Sequence, residues 1–217
     1  TFNQMAAVFG NMETHEGKLF DYLRPGKSSV TIFYSGHGVP GLKDGKAYLL
    51  PSDGDPNRAE ISGYPLAILY KNLAMLPART VHVFIDACFS GESPKGMLVK
   101  AASGISVVPR VPTKSSRLVA LTASQRDQLA SWDKGAKHGL FTKYLLTALY
   151  GAADDGETGD GDGRVTLTEV EKYLAHEMTY QARRQFGRVQ NAMVTGSGSS
   201  VLVPEVMKGG QIPPAFQ

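Results

Sequence analysis

Residues 79–91, RTVHVFIDACFSG, predict the fold of this 217-residue chain. The stretch is apolar on both faces as far as Asp86, and the only cysteine of the chain, Cys88, follows two residues later. A strand that is apolar on both faces is typical of a parallel sheet covered by helices on both sides. In such sheets the functional residues gather at the carboxyl ends of the strands. The stretch therefore predicts a central strand with Cys88 at its functional end.

Two other segments have the same character, SVTIFYS at 29–35 and RLVALTAS at 117–124. Helical patterns lie between and after them. Leu66, Leu69, Tyr70 and Leu73 share one helical face, and GLFTKYLLTALYG at 139–151 has a second such face. Strands that alternate with helices predict an α/β fold with three layers, in which a mainly parallel sheet carries helices on both faces.

Shorter patterns complete the prediction. A first helix buries Met5, Val8, Phe9 and Met12, and KAYLLP at 46–51 is a short strand or the arm of a hairpin. A last helix begins near Thr168, which forms a capping box with Glu171. SSVLVP at 199–204 is a closing strand.

Composition excludes several classes of protein. The chain has the length of one domain, and its 23 Lys and Arg residues against 20 Asp and Glu form no basic stripe, so nucleic acid is not an expected partner. One cysteine makes no internal disulfide. No apolar run is long enough to span a bilayer and the start does not have the pattern of a signal peptide, so we expect a soluble chain in an undetermined compartment.

The segment 29–35 ends in Ser35-Gly36-His37-Gly38. If its strand neighbours that of Cys88, a histidine and a thiol meet at one sheet edge, 51 positions apart in sequence. A thiol attacks as its thiolate, and an imidazole accepts its proton and later protonates the leaving amine. The N–H groups of Gly38 and Cys88 are candidate donors to an oxyanion. Taken singly, either side chain is more simply a structural residue.

The two motifs FYSGHG at 33–38 and FIDACFSG at 84–91 together resemble the caspase and metacaspase family of cysteine peptidases, in particular its bacterial, orthocaspase-type members. The spacing fits, since caspases carry the histidine about 50 residues before the cysteine. YLLPSD, LTASQRDQLA and HGLFTKYLLTAL follow in the family's order, so the resemblance covers residues 28–150.

The resemblance implies a caspase-like fold and a cysteine endopeptidase acting on polypeptides, with His37 as general base and acid and Cys88 as nucleophile. It divides a single domain, 1–217, into a large-subunit-like part at 1–91, a flexible or processing loop at 92–116 and a small-subunit-like part at 117–217. In relatives this loop is a site of self-cleavage. Here it carries Lys95, Lys100, Arg110 and Lys114, and an uncut loop is the alternative.

Asp86 lies two residues before Cys88, so both side chains project to the same face of the strand. In metacaspase-like relatives an acidic residue at this position selects arginine or lysine before the cleaved bond, which implies the same role for Asp86. Ser35 is a second candidate for that pocket. The alternatives are that Asp86 pairs with a structural group and that the peptidase, or a transferase using the same acyl-enzyme, has a different specificity.

TGDGDGRVTLTE at 158–169 matches an EF-hand calcium loop at Asp160, Asp162, Gly163 and Glu169. Its first position is Thr158, for which Asp154, Asp155 or Glu157 could substitute, so the loop either binds calcium or is an acidic turn. A calcium-binding or scaffold module with a silent dyad is thus an alternative function.

The calcium cluster of metacaspases is predicted to be absent, because Asp44 matches but Ser62, Gly63 and Lys95 replace its other carboxylates. We therefore expect activity without a required cofactor. Relatives also have a strand and a helix before the segment where this chain begins. A separate N-terminal fragment or a second copy is then the expected partner at an exposed sheet edge.

Overall fold

A computed structural model describes residues 1–90, 117–125, 128–133 and 138–206, together with the backbone of 92–93 and 96–97. Its strands are β1 (Ser29–Ser35), β2 (His37–Pro40), β3 (Ala47–Leu50), β4 (Tyr64–Pro65), β5 (Thr80–Asp86), β6 (Glu92–Ser93), β7 (Gly96–Met97), β8 (Leu118–Thr122), β9 (Trp132–Asp133), β10 (His138–Gly139), β11 (Val165–Thr166), β12 (Met193–Thr195) and β13 (Val201–Val203).

Its α-helices are α1 (Phe2–Phe9), α2 (Lys18–Asp21), α3 (Ala59–Ser62), α4 (Leu66–Met75), α5 (Leu140–Thr147), α6 (Leu167–Tyr173) and α7 (Thr179–Phe186). A 3₁₀ turn, Pro56–Arg58, precedes α3. π-helical turns follow α5 at Ala148–Ala152 and join α6 to α7 at Leu174–Met178.

The central sheet has the strand order β1-β5-β8-β12. The first three strands are parallel, and β12 is antiparallel to β8. In the register of β1 and β5, Ser35 lies opposite Asp86. The two segments that precede His37 and Cys88 are therefore adjacent strands that end at the same edge of the sheet.

Helices cover both faces of this sheet. Because side chains alternate along a strand, Val81, Val83 and Ile85 of β5 face one buried cluster and Phe84 faces another. The first cluster contains the predicted face of α4, and the second contains α5 and α6. The predicted three-layer α/β fold with a mainly parallel sheet is confirmed.

Three details differ from the sequence prediction. Helix α1 ends at Phe9, so Met12 lies beyond it and is 72% exposed. The segment 201–203 pairs with β11, outside the central sheet, whose fourth strand is instead the unpredicted β12. The capping box of α6 joins Thr166 to Glu169, because Thr166 has the extended backbone of a residue preceding a helix, whereas Thr168 already lies inside it.

Strand β1 forms one edge of the central sheet, and within the described ranges no strand pairs with its outer side. Phe33 on this strand is 51% exposed. The partner expected at this edge of the sheet stays a prediction. Among the helices of the described segments, none has the length and apolar character needed to cross a membrane.

Candidate active site

The site lies where the chain leaves β1 and β5. The N–H of Gly36 donates a hydrogen bond to the carbonyl of Asp86 at 3.2 Å, which extends the pairing of the two strands past their last register partners. His37 then begins β2, which pairs with β3 as the predicted hairpin. Cys88 follows β5 in an irregular segment, so a loop residue carries the thiol and a rigid strand positions it.

A cavity of about 290 Å³ opens at this edge. It contains the predicted catalytic residues, His37 and Cys88, and the predicted substrate-binding residues, Asp86 and Ser35. Its remaining lining residues are Gly36, Ala87, Ala130, Ser131, Trp132 and Gly139. His37 is exposed and Cys88 is half-buried, so both can meet a substrate that enters from solvent.

The backbone of Ala130 holds the thiol of Cys88 in place. The N–H of Ala130 donates to Sγ at 2.8 Å, and Sγ lies 3.8 Å from the Ala130 carbonyl oxygen, to which the thiol can donate. An N–H directed at sulfur stabilises negative charge that develops on it. The segment after β8 therefore contributes directly to the environment of the Cys88 thiol.

Gly38 lies in close contact with the segment that carries Cys88. A Cβ added to Gly38 would lie 2.5 Å from the Phe89 ring and 2.7 Å from the Cys88 carbonyl oxygen. Only glycine allows β2 to approach this segment so closely. Gly38 is buried and is not a lining residue of the cavity, and its role as an oxyanion donor stays a prediction.

The Tyr34 side chain contacts the backbone of the segment that carries His37. Its hydroxyl lies 2.9 Å from the carbonyl oxygen of His37 and 3.1 Å from that of Leu50, so it can donate to either. Burial raises the pKa of Tyr34 to about 12, with the hydrogen bond to Leu50 acting in the opposite direction, so the hydroxyl keeps its proton at neutral pH. Sequence reasoning missed this residue, whose hydroxyl can hold the backbone of His37 in position.

Asp86 is a buried carboxyl group, 7% exposed, at the wall of the cavity. Burial raises its pKa, against the hydrogen bonds from the Thr142 hydroxyl and backbone and the positive charge available at His138. A Cβ at Gly139 would lie only 2.0 Å from Oδ2 of Asp86. The carboxyl is thus held between the start of α5 and the end of β5.

Sequence reasoning also missed the contribution of the segment that leads from β8 to β9. Ala130, Ser131 and Trp132 follow β8 and line the cavity, and Trp132 is 46% exposed. Oγ of Ser131 is buried and has no hydrogen-bond partner among the described residues, while the Ser131 N–H donates to Oε1 of Gln190 at 2.8 Å. The strand-end rule gave no signal for them, since they lie eight or more positions beyond the end of β8.

A family model for the caspase domain matches residues 11–199. The chain belongs to the caspase domain family. No curated protein matched the chain in a separate comparison. Caspase domains are cysteine peptidases, which are hydrolases acting on polypeptides, so the resemblance carried by FYSGHG and FIDACFSG is confirmed at the level of the family. Its orthocaspase type stays a prediction.

The acidic loop of this caspase domain lies away from the cavity, between α5 and α6. Of the three predicted metal ligands, Asp160 and Asp162 lie together, with carboxylate oxygens within 4.8 Å of each other and of an oxygen of Asp154. Glu169 is not part of this cluster. Its Oε2 accepts from the N–H of Thr166 at 2.7 Å as the capping box of α6.

Proposed function

We propose that this caspase domain is a cysteine endopeptidase that cleaves after arginine or lysine, with His37 and Cys88 as a catalytic dyad. The observation that carries the proposal is a single cavity lined by an imidazole, the only thiol of the chain and a buried carboxyl group. A nucleophile, a base and a site for a cationic side chain are the three components that such a reaction needs.

The reaction proceeds in two steps. His37 accepts the thiol proton of Cys88, and the sulfur attacks the carbonyl carbon of the substrate. The oxyanion that forms accepts hydrogen bonds from backbone N–H groups. The C–N bond then breaks, the His37 imidazolium gives its proton to the leaving amine, and a thioester remains on Cys88. Water, deprotonated by His37, attacks the thioester and releases the new carboxyl terminus with the free thiol.

The specificity follows from the environment of Asp86. Because burial opposes its negative charge, a bound guanidinium or ammonium supplies the counter-ion that favours the carboxylate. The hydroxyl and the backbone of Thr142 occupy only part of the accepting capacity of the carboxylate.

Hydrolysis of reporter peptides that end in Arg, Lys or Asp tests the proposal. We expect turnover of the Arg and Lys peptides and none by Cys88→Ala. Asp86→Asn should lower kcat/KM for the Arg peptide by about 30-fold to several thousandfold, since removing one partner of a buried charge pair costs about 2–5 kcal/mol.

The matched control is Asp21→Asn, the same change at an exposed position of α2. It should behave as the wild type. Preference for the Asp peptide would contradict the role of Asp86, and undiminished turnover by Cys88→Ala would contradict the mechanism. We also expect full turnover without added calcium.

We further propose that the enzyme cleaves its own chain between residues 92 and 116. The candidate sites, Lys95, Lys100, Arg110 and Lys114, lie outside the described residues. The support is that this basic segment follows directly after the nucleophile. Intact mass of the wild type should show fragments that are absent from Cys88→Ala, whereas identical masses would contradict self-cleavage.

A further inference from the structure

We propose that the loop from Asp154 to Gly163 binds a calcium ion through the carboxylates of Asp154, Asp160 and Asp162. This site is separate from the peptidase cavity and does not depend on the proposed activity. It differs from the EF-hand alignment of the sequence, in which Thr158 and Glu169 occupy the first and last positions.

The three carboxylates are close enough to share one ion. One oxygen of each lies within 4.8 Å of the others. Calcium binds oxygen at about 2.3–2.6 Å, so two ligands on opposite sides of one ion are at most about 5.2 Å apart. Every pair in the cluster satisfies this limit, and calcium accepts the remaining ligands from water and carbonyl oxygens in flexible geometry.

Asp154 provides an independent indication of a bound cation. The residue is 5% exposed, and its two carboxylate oxygens have different surroundings. Oδ2 accepts from the N–H of Gly163 at 2.9 Å, whereas Oδ1 is buried and has no hydrogen-bond partner in the part of the chain that the structure describes. Burying an acceptor that has no hydrogen-bond partner raises the free energy of the folded state. A cation that coordinates this oxygen removes the penalty.

The backbone arranges the other two carboxylates around Asp154. The N–H of Gly161 donates to the carbonyl of Asp154 at 2.9 Å, which folds the loop back on its own start. Oδ1 of Asp160 accepts from the N–H of Asp162 at 3.1 Å, which leaves its second oxygen free of that bond. Asp160 and Asp162 are exposed, so the ion has a route from solvent.

The occupants of the EF-hand positions explain why the ligand set differs. The Thr158 hydroxyl lies 3.1 Å from the carbonyl oxygen of Ala153 and 3.2 Å from that of Asp155, so it bonds the backbone of the loop. Glu169 caps α6. Asp154 takes the place of the missing first carboxylate, although it lies four residues earlier in the chain.

Binding should stabilise the half of the molecule that contains α5 and α6. The loop connects these helices, whose apolar faces belong to the second buried cluster. Its Gly163 carbonyl also accepts from the N–H of Val206 at 2.8 Å, which links the loop to the segment after β13. An ion that fixes the loop therefore raises the thermal midpoint of unfolding.

The test is isothermal titration of the chelator-treated full chain with calcium chloride and, separately, magnesium chloride. We expect one calcium per chain, with affinity lowered about tenfold or more in Asp154→Asn and in Asp162→Asn, because each removes one charged ligand. Asp155→Asn is the matched control, since Asp155 is the exposed neighbour outside the cluster. It should bind as the wild type does.

Thermal unfolding gives a second measurement. Calcium should raise the midpoint of the wild type and of Asp155→Asn, and should leave that of Asp162→Asn nearly unchanged. This exposed position keeps the test valid even where Asp154→Asn disturbs folding. The proposal is overturned by no binding at millimolar calcium, by equal losses in Asp154→Asn and Asp155→Asn, or by magnesium that binds as tightly as calcium.

Discussion

Gly139→Ala is predicted to damage the proposed specificity pocket at Asp86 through one steric contact. Gly139 precedes α5 with φ −64° and ψ 149°, a backbone conformation open to any residue, so alanine meets no backbone strain there. Its Cβ would, however, lie 2.0 Å from Oδ2 and 2.6 Å from Cγ of Asp86. Real Cβ atoms essentially never approach closer than 3.0 Å, so the carboxyl or the start of α5 must move by about 1 Å.

The magnitude has two components. Overpacking a buried site costs about 1–3 kcal/mol of folding stability, and replacing glycine by alanine at a compatible backbone conformation returns about 0.4–1 kcal/mol through the unfolded chain. We expect a net loss of about 1–2 kcal/mol. If the Asp86 carboxylate moves by about 1 Å, kcat/KM for an arginine peptide should fall about 100-fold.

The assay is a double-mutant cycle of Gly139→Ala with Asp86→Ala, in which urea unfolding measures the stability of each variant. Removing the carboxyl removes the clash, so the double variant should be more stable than the sum of the single changes by the full cost of overpacking, about 1–3 kcal/mol. Gly26→Ala is the control, because it adds a methyl group in open space at a positive φ and lowers stability without contact to the cavity. Additive effects, or wild-type activity of Gly139→Ala, would refute the assigned contact.

Three other changes test separate parts of the site and the fold. Burial raises the pKa of Asp86, so its carboxylate is protonated at a higher pH than that of an ordinary aspartate. On acidification, the preference for arginine over citrulline peptides should therefore fall at this higher pH. Asp86→Asn should show no such pH dependence. The same shift destabilises the fold as pH rises through that pKa, so urea unfolding at neutral pH should find Asp86→Asn at least as stable as the wild type. Tyr34→Phe should lower kcat more than it raises KM in steady-state kinetics, and should lose about 0.5–1.5 kcal/mol of folding stability, the net contribution of one hydrogen bond to the carbonyl of His37 or Leu50. Thr166→Ala should cost about 1 kcal/mol in thermal unfolding, whereas Thr168→Ala should cost much less, and the reverse order would contradict the assigned capping box.

The central strands were predictable because their signal is local. β5 and β8 are continuous apolar segments of the length of a strand, and only a sheet covered on both faces buries such segments. β12 has three residues and is only half-buried, so no periodic pattern distinguishes it from a loop. The capping box was ambiguous for a similar reason, since Thr166 with Glu169 and Thr168 with Glu171 have the same spacing.

The candidate site was predictable where reactive residues stand at strand ends. His37, Asp86 and Cys88 lie at adjacent ends and line one cavity, as the spacing and strand alternation predicted. Ala130 was missed because it acts through its backbone, which no side-chain type reveals. Asp154 could not be chosen over its neighbours, because its burial depends on how the loop folds back on its own start.

Labelling with an acyloxymethyl ketone that carries arginine tests the central claim most directly. Cys88 is the only cysteine of the chain, so one covalent adduct in an intact-mass measurement identifies the labelled thiol. We predict one adduct per wild-type chain, none on Cys88→Ala or His37→Ala, and full labelling of the control His176→Ala, whose imidazole is exposed and outside the cavity. An unlabelled wild type, or faster labelling by the reagent that carries aspartate, would contradict a peptidase of basic specificity at this site.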